Sequence, residues 1–142
     1  MRNAIVAALA SGACLFAGPA LAEVIHYTAK LSGAAETPPN VTKGAGAADV
    51  TLDTDSRLLS WKIVYSGLTG PATMAHFHGP AAPGVAAGVT VGLSAPLASP
   101  IAGTTSLNDG QIGDLRAGLW YVNIHTAQYP KGEIRGQVEA AH

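Results

Sequence analysis

The sequence predicts an all-β fold, an antiparallel Greek-key-like sandwich or barrel of about seven or eight strands with one short helix. Two observations carry this. Short runs of apolar and polar residues alternate with a period of two, from Val24–Leu31 through Arg57–Ser66 to Glu133–Val138, as half-buried strands require. Between them stand clusters of turn formers such as Asp53-Thr54-Asp55-Ser56 and Tyr129-Pro130-Lys131-Gly132.

The amino terminus is read first as a targeting segment. Arg2 precedes an apolar run from Ala4 to Ala17, and Ala20-Leu21-Ala22 has the small-x-small form of a signal-peptidase site. Residues 1–22 are therefore expected to be a signal peptide, and residues 23–142 a single exported domain, periplasmic or extracellular. Cys14 is the only cysteine and lies in the leader, with Ser11 standing where a lipobox wants leucine. The exported chain then has neither a disulfide nor a thiolate ligand. Its length is enough to bury a core without staples. Beyond Arg2, seven lysines and arginines face nine acidic residues, and no basic patch points to nucleic acid. No apolar run beyond the leader reaches the roughly 18 residues of a membrane span.

In the first strand, Ile25, Tyr27, Ala29 and Leu31 share one face and His26, Thr28 and Lys30 the other. It ends at Ser32-Gly33, and Pro38-Pro39 forbid continued pairing in a sheet centre. The small residues from Gly44 to Leu52 pair next. Arg57–Ser66 is the clearest strand, with Leu59, Trp61, Ile63 and Tyr65 facing inward. After Gly67–Pro71 comes Ala72–His78, where Thr73, Ala75 and Phe77 oppose Met74, His76 and His78. Gly79–Pro100 then runs for 22 residues without a charged side chain, holding four prolines and four glycines. It is either a lid over what precedes it or a plain connection, with a strand near Val89–Leu93. Ile101–Leu107 is a short strand, and Asn108 caps a helix reaching Arg116, which Gly118 stops. Leu119–Thr126 places Tyr121, Asn123 and His125 on one face and Val122 and Ile124 on the other.

Alternation puts His76 and His78 on one face about 6.8 Å apart along their strand, a spacing that lets two imidazoles close on one ion. If the Leu119–Thr126 strand is a neighbour, His125 joins them. The alternative is three polar residues on the wet side of a sheet, or a hydrogen-bonded pair near the surface; on the metal reading the histidines look outward from a scaffold anchored by Phe77, Val122 and Ile124. His26, beside Thr28 and Lys30, is expected to be solvated, and His142 to fray. Three neutral imidazoles without thiolate suit copper or zinc, with copper the tighter of the two. A zinc-bound water would make a hydrolase or hydratase, whereas copper with an open position permits one-electron chemistry. Tyr121 and Asn123 are candidates to orient the ligands. Glu133 and Arg135 read either as a solvated strand face or, for Arg135, as a cation that attracts an anion to the metal. No GxSxG elbow, HExxH motif or phosphate-binding glycine loop offers a competing chemistry.

Four segments together resemble the CHRD domain, named after chordin. They are Leu31-Ser32-Gly33-Ala34-Ala35-Glu36-Thr37-Pro38-Pro39, His76-Phe77-His78-Gly79-Pro80-Ala81, Ala117-Gly118-Leu119-Trp120-Tyr121-Val122-Asn123-Ile124-His125-Thr126, and Pro130-Lys131-Gly132-Glu133-Ile134-Arg135-Gly136-Gln137. The resemblance spans nearly all of residues 23–142 and implies a compact extracellular β domain without a settled activity. The three histidines fall inside its motifs, which favours the metal reading. A fainter similarity is to copper/zinc superoxide dismutase, another antiparallel β domain with an HxH strand at its copper. That likeness implies His76 and His78 as the strand pair, His125 as the distant ligand, Arg135 as the residue steering superoxide, and a copper-only superoxide dismutase. The chain departs from it in having no disulfide, no zinc-binding set and no clear fourth histidine. Two further readings follow from the CHRD resemblance and the histidines: a noncatalytic extracellular module that binds a protein partner, and a copper storage or delivery protein.

Overall fold

Alternating burial builds the chain into strands, described over residues 22–142 by a computed structural model. The leader expected at residues 1–22 lies outside them but for its last residue. The strands are β1 (Val24–Ser32), β2 (Ala45–Asp53), β3 (Leu58–Ser66), β4 (Ala72–His78), β5 (Val89–Gly92), β6 (Ile101–Ser106), β7 (Tyr121–Thr126), β8 (Ile134–Gln137) and the short β9 (Glu139–Ala140). A 3-10 turn, Gly33–Ala35, follows β1, and helix α1, Asp109–Arg116, precedes β7. All pairings are antiparallel, in the order β5-β4-β7-β8-β1-β2-β3-β6, with β9 added on β1.

β1, β2 and β3 form a meander of long, unbroken pairings, and the β2–β3 turn is made by Asp53, whose Oδ1 accepts the Asp55 and Ser56 N–H groups. The connection after β3 does not return to β3. It crosses to β4, which pairs with β5 and β7 instead. β1 and β8 share a single residue pair, Ser32 with Arg135. The sheet curls into a half-barrel. Trp61 of β3 consequently meets Phe77 of β4 edge-on, ring centroids 5.6 Å apart, although the two strands are not neighbours.

The core is the concave side. Tyr27, Ala29 and Leu31, then Ala48, Val50 and Leu52, then Leu59, Trp61 and Ile63 supply one wall. Ala75, Phe77, Val122, Ile124 and Ile134 supply the other. Phe77 is fully buried between Trp61 and Trp120, whose centroid is 5.9 Å away. Burying such a ring stabilises the fold by about 1.5–3 kcal/mol and fixes which way β4 faces. Gly79, where the chain leaves β4, is required by crowding: a Cβ there would stand 2.8 Å from both the Leu119 carbonyl oxygen and the Trp120 ring. Helix α1 starts at Asn108 through a capping box with Gln111 and buries Leu115, and Gly118 ends it at φ +72°.

Candidate metal centre

β4 and β7 are neighbours, so their outer faces form one grid. His78 lies opposite Tyr121, His76 opposite Asn123, and Met74 opposite His125. β8 continues it, with Arg135 opposite Asn123. One nitrogen from each of His76, His78 and His125 can be chosen so that all lie within 4.8 Å of one another. His76 Nδ1 and His125 Nε2 are already 3.2 Å apart. Two imidazole nitrogens bound tetrahedrally at about 2.0–2.1 Å from one ion stand about 3.3 Å apart, so this pair needs almost no movement.

The unused ring nitrogens decide which tautomer is present. His78 Nδ1 donates to the Ala87 carbonyl at 3.0 Å, and His125 Nδ1 donates to the Pro130 carbonyl at 2.9 Å. The neutral His125 ring is left with its lone pair at Nε2, the form a metal requires, and both rings are held in orientation by main chain. His78 Nε2 lies 3.0 Å from Asn123 Oδ1, an acceptor, so an ion bound at that nitrogen would take the place of this contact. Burial, followed by the neighbouring histidines, lowers the pKa of His76; burial, with a smaller contribution from His78, lowers that of His125 against the opposing Pro130 bond. Both are thereby biased toward the unprotonated, ligating form.

The expected outward, wet face is corrected. His78 and His125 are only 8% and 6% exposed, while His76 is half-buried. The uncharged segment after β4 folds back as a roof: the Gly79 N–H donates to Gly88, the Ala87 N–H donates to the Tyr121 hydroxyl, and Ala81 N–H bonds to Leu119. Of its two sequence readings, the lid is the one the fold adopts. The solvated strand face expected at Glu133 and Arg135 is likewise corrected, because both are buried. Glu133 accepts hydrogen bonds from the hydroxyls of Thr42, Thr69 and Thr126 and from the Thr69 N–H. Burial raises its pKa, but these donors together outweigh it and the net shift is downward.

Arg135 is 2% exposed, donates to the Val85 carbonyl at 2.9 Å and to Thr37 Oγ1 at 3.3 Å, and places Cζ 3.5 Å from the Tyr121 ring centroid. Tyr121 also stacks on His78, centroids 4.8 Å apart and planes parallel within 1°. The strand order puts His78 on the β4 side of that ring and Arg135 on the β8 side, so the guanidinium reaches the histidines only through Tyr121. His26 is exposed, as expected, and neither it nor His142 joins the group.

Sequence reading missed Glu36. It is 5% exposed, beside Arg135 and the Asn123 amide, and its Oε1 has no hydrogen-bond partner. Burial raises its pKa to about 7 against the opposing effects of the Thr37 N–H, Arg135 and Asn123. The available signal was a lone acid in the otherwise uncharged stretch Leu31–Val41. The carbonyls of Ala87 and Pro130 left no signal, since every residue has one.

Comparison with known families adds one match: the family model described as CHRD domain covers residues 27–138. It does not extend to the fainter superoxide dismutase likeness. No curated protein and no solved structure matches the chain.

Proposed function

We propose that this chain, which belongs to the CHRD-domain family, binds one copper ion through His76, His78 and His125 and uses it on superoxide. The observation that carries the reading is the convergence of three imidazole nitrogens within 4.8 Å, two of them on rings whose Nδ1–H is given to a backbone carbonyl. A nitrogen-only donor set without thiolate accepts zinc as well, but divalent copper binds such sites more tightly. Copper supplies one-electron chemistry: one superoxide is oxidised to dioxygen, and a second is reduced, with two protons, to hydrogen peroxide.

The chain's own residues bind and shield. His78 is buried under the roof and His125 against the Pro130 turn, and the half-buried His76 is the side from which a diatomic anion would arrive. Arg135 adds positive charge behind the Tyr121 ring without touching the ligands. Export through the leader at residues 1–22, into the periplasm or the extracellular space, belongs to the same proposal.

Metal analysis of untagged protein matured in copper-replete cells tests it. About one copper per chain, lost in His76→Ala and His125→Ala, is the expected result. Superoxide consumption by the loaded protein above that of the same amount of free copper is expected next. Copper bound without such turnover leaves a storage or delivery protein, and no copper at all leaves a noncatalytic module that binds a protein partner. Either outcome overturns the proposal.

A further inference from the structure

Met74 stands at the edge of the histidine group and has no place in the core. It shares the outer face of β4 with His76 and His78 and lies directly opposite His125 on β7. It is 45% exposed, although the neighbouring inward residues Ala75 and Phe77 are fully buried. The register of β4 against β7 shifts between Ala72 and Met74, and such an irregularity re-aims the side chain at its end. Directly opposed residues in an antiparallel pair have Cβ atoms about 4.5–5.5 Å apart, and an unbranched thioether with three rotatable bonds spans such a gap. Met74 thus flanks the His76 Nδ1 and His125 Nε2 pair, whose nitrogens are 3.2 Å apart.

A thioether sulfur is a soft donor. It favours monovalent copper and contributes little to zinc or to divalent copper, which the imidazoles already satisfy. Building on the three-histidine copper reading above, we infer that Met74 Sδ is a fourth ligand that engages only when the copper is reduced. The site would then hold copper in both oxidation states with different donor sets, three nitrogens for the oxidised ion and three nitrogens with sulfur for the reduced one.

The test uses Met74→Leu, which keeps shape and apolarity while removing the sulfur. Affinity for monovalent copper is measured anaerobically by competition with bicinchoninate, beside affinities for divalent copper and zinc. The variant is expected to lose about 10- to 100-fold in affinity for monovalent copper, the range typical of removing a group that supports a metal site, with the other two affinities unchanged. Beyond Met1, Met74 is the only methionine, so a methyl-labelled sample reports on it directly. Its methyl resonance is expected to move on adding monovalent copper or silver and to stay put with zinc. Unchanged monovalent affinity in Met74→Leu, an unmoved methyl signal with the reduced ion bound, or an equal loss for all three ions would each overturn the inference while leaving the histidine site standing. If the unaltered protein binds none of the three ions, the histidine reading itself fails, and this inference with it.

Discussion

Replacing Glu36 by glutamine is expected to flatten part of the pH dependence of folding. The carboxyl is shielded from water and its pKa is raised from 4.5 to about 7, mainly by burial. Below pH 4.5 it keeps its proton in both the folded and the unfolded chain, and nothing is lost. Between pH 4.5 and about 7 the unfolded chain releases the proton while the folded domain retains it. Folding is therefore weakened by about 1.4 kcal/mol per pH unit across that window, reaching about 3 kcal/mol by about pH 8. That is a large share of the roughly 5–15 kcal/mol that holds a domain folded. Glutamine has nearly the same shape and no proton to release. Urea unfolding of chelator-treated protein, wild type and Glu36→Gln, should show a stability difference that grows in the variant's favour by about 3 kcal/mol from pH 4.5 to about pH 8. His76, His125 and Glu133 titrate in both proteins and cancel in the difference. A difference that is flat across this range would refute the account of Glu36 as a buried carboxyl that holds its proton.

Three other perturbations test the scaffold and the site. Phe77→Ala should cost about 3–5 kcal/mol, read from the urea midpoint, because it empties the space between Trp61 and Trp120. Gly132→Ala should cost about 1–3 kcal/mol in thermal unfolding, since its φ of +129° suits glycine and a Cβ would press on Glu36 and come within 2.8 Å of Asn123 Nδ2. Asn123→Ala should leave copper affinity unchanged or raise it in a competition titration, because the amide oxygen that occupies His78 Nε2 is gone.

The meander strands were legible because each buries one face and leaves the other more open: the alternation of Leu59, Trp61 and Ile63, like that of Ala75 and Phe77 in β4, marks the inward side without reference to any partner. Asn108 and Gly118 announced the ends of α1 for equally local reasons. The histidine pair could be read from spacing, but its meeting with His125 depended on β4 and β7 being neighbours, which no local pattern specifies. What was not legible is the covering of the outer face. Glu133 and Arg135 alternate like exposed polar residues, and only tertiary structure brings three threonine hydroxyls to the first and the Tyr121 ring, Val85 and Thr37 to the second. Glu36 was hidden for the same reason, because its neighbours Arg135 and Asn123 are about ninety residues away along the chain.

β4 carries Ala75 and Phe77 into the interior and His76 and His78 to the opposite side, one residue apart on the same backbone. Whatever loosens the interior therefore scatters the imidazoles as well. An ion held by those imidazoles would in turn act as a rivet for the hydrophobic layer beneath, adding about 2.7 kcal/mol when free metal stands at a hundred times its dissociation constant. Metal supply and resistance to unfolding would rise and fall as one quantity in this domain.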